Sequence, residues 1–344
     1  RWFDLTGTRG VGTALVNYIN RFGDDWVVTR VKDGKTQVRL RTLPEFRGML
    51  EEPGKFLMIQ REEITAGKNI HVNATNIQEF IAPFTGETAL ETMQKNIDAV
   101  LKQREETGVP MFPHVNHPNF VWAVTAEELM QLQGEKFFEV YNGHPAVHNH
   151  GDETHAGMER VWDIVLSMRL KVLGLPVMYG IAVDDSHNYF DFSLSKSNPG
   201  RAWVMVRSES LNPESIVHAM EAGDFYGSTG VVLNDIRFDG KELRIAIQPE
   251  EGVTYKTVFI GTHKEFDQSS EPVTDENGEP LGVTRKYSNE IGAVLAEVDG
   301  ISPSYRLTGD ELYVRAKVVS SKLKENPYKV GETESAWVQP VQPR

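Results

Sequence analysis

Residues 110–141, with the sequence PMFPHVNHPNFVWAVTAEELMQLQGEKFFEVY, contain two apolar strand-like runs, at 110–116 and 136–141. Between these runs, Thr125 is followed three residues later by Glu128, which is the spacing of a helix capping box. A strand, a helix and a second strand in this order indicate a parallel βα arrangement. The alternation continues with a predicted helix over 155–172, a strand over 177–183 and a helix that begins at Asn212-Pro213.

The segments before residue 110 extend this alternation. KFLMIQREEIT (55–65) predicts a buried strand that ends near Glu62 and Glu63, and IHVNAT (70–75) predicts a short strand that carries His71. The 3.6-residue spacing of apolar side chains over 87–106 predicts a helix between these strands and residue 110. Chemistry in βα folds sits at the C-terminal ends of the strands, so we expect a site there.

After about residue 228, the pattern changes to an alternation of period two that is typical of strands. Turn dipeptides follow at Asp239-Gly240, Asn277-Gly278 and Asp299-Gly300, and an earlier one, Asp33-Gly34, predicts a hairpin near the start of the chain. We therefore predict an α/β domain over 1–228 and an all-β, sandwich-like module over 229–344.

The composition of the 344-residue chain limits its possible functions. A net charge of −13 leaves no basic surface for nucleic acid, so no nucleic-acid partner is expected. The absence of cysteine removes disulfides, thiolate ligands and cysteine nucleophiles. No apolar run reaches the ~18 residues of a membrane span. The sequence does not distinguish a cytoplasmic from a periplasmic or secreted protein, and it does not give the oligomeric state.

Histidines are concentrated in one part of the chain, since seven of the ten lie between His114 and His187. Several stand beside acidic residues in strand-like runs, and imidazole nitrogen with carboxylate oxygen is the donor set of many divalent-metal sites. The candidate residues at predicted strand ends are Glu63, His71, His114, His117, Glu139, His144, Asp185 and His187.

Each candidate also has a simpler explanation. Glu63 stands next to charged residues and fits a solvated surface, while His114 fits a histidine of the core. Asp185 and His187 project to the same side of an extended segment, which suits either one metal or a charge pair on a loop. Glu139 lies inside an apolar run and needs a partner, as a structural group or as support for a metal-bound histidine.

An ordered set of segments resembles the PHP superfamily, which is named after polymerases and histidinol phosphatases. The closest branch is that of carbaryl-hydrolase-like metallohydrolases, called CehA/McbA-type. The segments that carry the resemblance are EEIT and HVNATN (62–76), HVNHPNFVWAVTAEEL (114–129), FFEVYNGHP (137–145), ERVWDIVL (159–166), GIAVDDSHNYF (180–190), PGRAWVMVRSESL (199–211), AGDFYGSTGVVL (222–233) and ELYVRAKVVSSK (311–322). The resemblance covers nearly the whole chain.

The resemblance implies a distorted (βα) barrel of PHP type that holds up to three divalent metals at the strand C-termini. The family's first motifs, a His-x-His near the N-terminus and an Asp-His pair before the equivalent of RWFDL (1–5), do not appear in this sequence, and we expect them to precede Arg1. Its remaining metal ligands match Glu63, His71, His117, Asp185 and His187. By the same match, His114, Glu139 and His144 would position the substrate or support the metal ligands.

From these residues and this resemblance we predict a metal-dependent hydrolase that uses metal-activated water, with an anionic phosphoester as the favoured small-molecule substrate. The guanidinium of Arg201 would bind the anion, although a surface salt bridge also explains this arginine. Manganese, zinc and iron all suit the donor set, so the metal is not selected. Hydrolysis of a carbamate or carboxylic ester, and a non-catalytic binding role, stay open as alternatives.

Overall fold

The computed structural model describes residues 2–5, 14–189 and 191–343, which form two compact units, Arg1–Met58 and Ile59–Arg344. The first unit contains, in chain order, β1 (Trp2–Asp4), α1 (Ala14–Phe22), a 3-10 turn (Asp24–Trp26), β2 (Thr29–Lys32), β3 (Lys35–Arg39) and α2 (Leu43–Leu50). Its strands form an antiparallel sheet in the order β1-β3-β2. Asp33 and Gly34 join β2 to β3 with φ angles of 52° and 71°, which confirms the predicted hairpin.

The second unit begins with a five-stranded sheet whose strands follow chain order. The strands are β4 (Arg61–Thr65), β5 (His71–Thr75), β6 (Phe112–Val115), β7 (Phe137–Asn142) and β8 (Tyr179–Val183). Strand β5 is antiparallel to β4 and β6, whereas β6, β7 and β8 are parallel. The start of β5 therefore lies beside the C-terminal ends of β4 and β6.

Four helices accompany this sheet, and each lies close to the helix predicted from the sequence. They are α3 (Ala89–Thr107), α4 (Ala126–Leu129), α5 (Met158–Met168), which continues into a π-helical turn (Arg169–Leu173), and α6 (Pro213–Glu221). The side chain of Thr125 accepts a hydrogen bond from the N–H of Glu128, as the capping box predicts. None of the helices that the structure describes is both long and apolar enough to span a membrane.

The remainder of the second unit consists of strands that form three further sheets. These strands are β9 (Trp203–Val206), β10 (Phe225–Ser228), β11 (Leu233–Phe238), β12 (Glu242–Ile247), β13 (Tyr255–His263), β14 (Ser270–Glu271), β15 (Lys286–Tyr287), β16 (Ala293–Asp299), β17 (Ser304–Arg306), β18 (Glu311–Leu323) and β19 (Thr333–Val341). The largest sheet has the order β16-β13-β18-β19-β10-β9, and it shares an apolar core with the sheet β11-β12-β17. Because β9 and β10 belong to this largest sheet, it extends across the predicted domain boundary at residue 228. That boundary stays a prediction.

The predicted (βα) barrel is wrong. The chain is 20% helical and 33% strand, its described strands form several separate sheets, and the fold is mostly β. A barrel needs a continuous ring of neighbouring strands. Here β5 reverses direction between β4 and β6, and after β8 the chain enters β9, which pairs with β10 in a different sheet.

Helix α5 packs between the five-stranded and six-stranded sheets through a buried ion pair. Asp163 accepts hydrogen bonds from Arg315 Nε at 2.7 Å and from Tyr313 Oη at 2.8 Å, and its second oxygen lies 2.6 Å from Arg315 Nη2. Because both charged partners are buried, each depends on the other for the contacts that it has lost with water.

We expect the substitution Asp163→Asn to destabilise the protein by about 3–5 kcal/mol, because it removes the closer counter-charge of the buried Arg315 guanidinium and leaves it the more distant Glu159, at 3.6 Å. Urea unfolding of the variant and the parent protein would measure this difference. Glu297→Gln breaks the exposed pair with Lys256 and serves as the control, for which we expect little change. Equal stability of the Asp163 variant and the parent would contradict the assigned role.

Glu135, just before β7, is a second buried acid, and its Oε2 has no hydrogen-bond partner among the described residues. Burial raises its carboxyl pKa well above the usual value, against the effect of two backbone N–H groups that donate to Oε1. The folded protein therefore binds a proton on the Glu135 carboxyl group more tightly than the unfolded chain does. The resulting stabilisation is complete below the unfolded pKa of about 4.3 and is lost as the pH rises through the folded pKa.

We expect Glu135→Gln, which resembles the protonated acid, to lose less stability than the parent protein between pH 5 and pH 8. Denaturant unfolding at both pH values gives the two differences. Glu106→Gln, at an exposed ion pair on α3, controls for a general effect of removing one negative charge. A parallel pH dependence of the Glu135 variant and the parent would show that Glu135 is not protonated in the fold.

Candidate metal centre

The register of the first three strands of the five-stranded sheet aligns polar residues on one face. Glu63 on β4 is paired with Asn73 on β5, and Asn73 is paired with His114 on β6. Residues at directly paired positions project from the same face of a sheet, so the three side chains form a row. Glu63 lies in the middle of β4, not at its C-terminal end as the sequence had predicted.

Glu63, His71 and His117 form a cluster in which one potential ligand atom from each residue lies within 4.8 Å of the others. Oε1 of Glu63 lies 3.2 Å from Nδ1 of His71, a separation close to the roughly 3.3 Å between two ligands of one tetrahedral zinc ion. Nδ1 of His71 is also buried without a hydrogen-bond partner among the described residues. Two nitrogen donors and a carboxylate therefore converge on one point.

Strand direction explains how these three residues meet. His71 is the first residue of the antiparallel strand β5, and His117 follows the C-terminal end of β6, so both lie at the same edge of the sheet. Their ring centroids are 4.9 Å apart. Phe120 covers both imidazoles, with centroid distances of 6.5 Å to His71 and 5.1 Å to His117.

Hydrogen bonds fix the orientation of two members of the cluster. Asn116 Nδ2 donates to Glu63 Oε1 at 2.9 Å, and the backbone N–H of His117 donates to Glu139 Oε2 at 2.8 Å. His117 has a φ of 24°, which is uncommon for a residue other than glycine, and the bond to Glu139 compensates for this conformation. The pKa of Glu63 is lowered, mainly by its contact with His71, so this carboxylate is ionised at neutral pH.

Glu139 supports the cluster through its hydrogen bond with the backbone of His117. Its carboxyl group is 2% exposed, and Oε1 lies 3.3 Å from Nε2 of His114, which is itself 3.1 Å from Nδ2 of Asn73. Burial acts to raise the pKa of Glu139, but the hydrogen bonds with His114 and Asn142 and the nearby His117 ring outweigh burial and keep that pKa below its usual value. Burial lowers the pKa of His114, which favours a neutral ring.

Asp185, His187 and His144 form a neighbouring group. Asn142 Nδ2 donates to Glu139 Oε2 at 2.9 Å and to Asp185 Oδ2 at 3.2 Å, and thereby links the two groups. Nδ1 of His187 lies 3.6 Å from Asp185 Oδ1, and its ring centroid is 5.6 Å from that of His144. The cluster with ligand atoms within 4.8 Å does not include Asp185 or His187, and their predicted role as ligands stays a prediction.

Arg201 occupies a position that argues against its predicted role in binding an anionic substrate. It is fully buried, and its guanidinium donates to the carbonyl oxygens of Gly143 and Ser193 at 2.9 Å, of Pro327 at 3.1 Å and of Asn326 at 3.2 Å. These bonds join three loops and leave the side chain no room to reach a ligand.

Sequence reasoning missed four residues at the site. Asn73, Asn116 and Asn142 hold the candidate ligands through their amide groups, and Arg61 shares the face of β4 with Glu63. The sequence contained a signal for two of these residues. Asn116 directly precedes His117, and Arg61 stands two residues before Glu63 on a predicted strand, where both side chains project from the same face.

Comparison of the chain with protein-family models, with curated proteins and with solved structures found no match. The interpretation of the site therefore depends on its own geometry and on the motifs quoted above.

We expect Glu139→Gln to weaken Zn²⁺ binding about 10–100-fold, because a neutral amide cannot replace the carboxylate that accepts from His117 and Asn142. Isothermal titration calorimetry with zinc chloride would give both affinities. Glu135→Gln is the matched control, since it changes another buried glutamate near the same strand that has no contact with the cluster. Unchanged affinity in the Glu139 variant would separate Glu139 from the metal centre.

Proposed function

We propose that this protein is a metal-dependent hydrolase of esters, with phosphoesters favoured over carbamates and carboxylic esters. The cluster of Glu63, His71 and His117 is the observation that carries the proposal. Its two imidazole nitrogens and one carboxylate fit zinc, manganese or iron, and three protein ligands leave coordination positions for water and substrate. The buried Nδ1 of His71 has Oε1 of Glu63 as a close neighbour, at 3.2 Å and without hydrogen-bond geometry, which supports this assignment because two ligands of one metal approach each other in this way.

A divalent ion at this cluster would lower the pKa of bound water and stabilise negative charge on a substrate oxygen. The chain supplies the orientation of the ligands: Asn116 holds the Glu63 carboxylate and Glu139 holds the backbone of His117. Phe120 lies against His71 and His117 and limits the access of bulk water to their rings.

His144 is positioned to hold a proton near the substrate. Its Nδ1 accepts a hydrogen bond from the N–H of Ala146 at 3.1 Å, so a neutral ring carries its proton on Nε2. Burial lowers the pKa of His144, and the nearby ring of His187 acts in the same direction. Nε2–H is therefore available as a hydrogen-bond donor to a substrate or leaving-group oxygen at neutral pH.

Phosphoesters are favoured because the segments that resemble the PHP superfamily span most of the chain. The same donor set also suits attack on the carbonyl carbon of a carbamate or carboxylic ester, since reaction class depends on the pocket around the metal. Both classes are therefore included in the experiment.

We expect the purified protein, after incubation with Mn²⁺ or Zn²⁺ and removal of free metal, to retain at least one ion per chain by elemental analysis. His71→Ala should lose most of this metal and at least about 100-fold in kcat/KM on p-nitrophenyl phosphate or bis-p-nitrophenyl phosphate. His218→Ala, at an exposed histidine of α6, is the matched control and should behave as the parent protein.

Hydrolysis of p-nitrophenyl acetate alone would assign the carboxylic-ester alternative. Metal binding without hydrolysis of any of these esters would leave a metal-binding role and contradict catalysis. Absence of bound metal in the parent protein would contradict the proposal as a whole.

A further inference from the structure

Arg61 is the first residue of β4 and lies on the same face as the candidate ligand Glu63, two positions further along the strand. Two residues along a strand span about 6.6 Å, which is within the reach of an extended arginine side chain. The Arg61 guanidinium can therefore approach a group bound next to Glu63.

Burial lowers the pKa of Arg61, and the negative charges of Glu139, Glu63 and Asp184 act in the opposite direction. The Arg61 side chain is nonetheless exposed. The guanidinium is therefore accessible from solvent on the face of β4 that carries Glu63.

The side chain of Arg61 forms no hydrogen bond or ion pair with any residue that the structure describes. Two other arginines, by contrast, have their donors occupied: Arg201 binds loop carbonyl oxygens, and Arg207 lies 2.6 Å from Asp235. The planar donors of Arg61 are therefore free for a ligand, and their geometry matches two oxygens of a phosphate or carboxylate.

We propose that Arg61 binds the phosphoryl oxygens of the substrate and thereby makes the site selective for phosphate esters. This inference rests on the proposed hydrolase function. A phosphate monoester carries up to two negative charges and would meet repulsion from Glu63 and Glu139 unless cations compensate for them. A divalent ion at the cluster supplies part of this compensation, and Arg61 supplies a further positive charge with directed donors. A neutral carbamate or carboxylic ester would leave the guanidinium unpaired.

The alternative explanation is that Arg61 only balances the charge of the neighbouring acids. Arg61→Lys separates the two, because lysine keeps the positive charge but lacks the planar pair of donors. Arg61→Met removes both charge and donors while it keeps a similar length. Arg207→Met is the matched control at an exposed arginine that already has an acidic partner.

The test measures the binding of inorganic phosphate to manganese-loaded and metal-free protein by calorimetry, beside manganese content by elemental analysis. Arg61→Met should keep its manganese and lose at least about 10-fold in phosphate affinity, with Arg61→Lys between this variant and the parent. KM for p-nitrophenyl phosphate should rise by a similar factor, while kcat/KM for p-nitrophenyl acetate stays within about twofold.

Three results would overturn the inference. Arg61→Met could bind phosphate as tightly as the parent, Arg61→Lys could have the same phosphate affinity as the parent, or the parent could fail to bind phosphate both with and without manganese. Absence of manganese in the parent contradicts the hydrolase proposal separately. In that case the titration of the metal-free protein tests Arg61 by itself. If the metal-free parent binds phosphate and Arg61→Met does not, Arg61 is supported as an anion-binding residue. Circular dichroism of each variant confirms that affinity is compared between folded proteins.

Discussion

The carboxylate of Glu139 is the group on which the geometry of the site depends. An ionised acid removed from water costs several kcal/mol unless hydrogen bonds replace its hydration, and Glu139 obtains them from His114, from the backbone of His117 and from Asn142. These contacts require the chain after β6 to turn sharply, at a positive φ, so that the N–H of His117 reaches the acid. The same turn brings the His117 ring beside His71. The site geometry thus follows from the need to satisfy one buried charge.

Asparagine side chains extend this constraint across the sheet. Asn116 joins β6 to Glu63, Asn142 joins Glu139 to Asp185, and Asn149 accepts from the N–H of Asn142 and donates to Tyr328 near the start of β19. A short amide offers both donors and an acceptor, so it can link two acids that would otherwise repel each other. Tyr328 connects the carboxylates of the site to the segment that leads into the six-stranded sheet. Hydrogen bonds through Asn149 and Asn142 therefore connect that segment to Asp185.

Local features of the fold could be predicted from the sequence, whereas the pairing of strands could not. The Asp33-Gly34 turn, the capping box at Thr125 and the helix start at Asn212 depend on residues within one turn, and the structure confirms them. The direction of β5 depends on long-range pairing, and an apolar strand-like run does not reveal it. Nothing in the residues around Arg201 indicates that distant carbonyl oxygens occupy its donors, and its role in anion binding stays a prediction that these contacts disfavour. Glu63, His71 and His117 were expected as ligands of one metal site, and the structure brings them together because β5 is antiparallel, which places His71 beside the end of β6. Their role as ligands stays a prediction.

Charge is the remaining constraint on what the site can bind. Glu63 and Glu139 both have a lowered pKa, whereas burial and the proximity of Glu139 raise the pKa of Asp185. Burial, together with the negative charge of Glu139, thus makes the ionisation of Asp185 less favourable, against the opposing effect of His117 and His187. A cation near Glu63 and His71 would relieve this repulsion and make Asp185 a better acceptor. Because Asn142 contacts both Glu139 and Asp185, a change of charge at one carboxylate is transmitted to the other through a single side chain. The two groups of candidate ligands are therefore electrostatically one site, although only one of them forms a compact cluster.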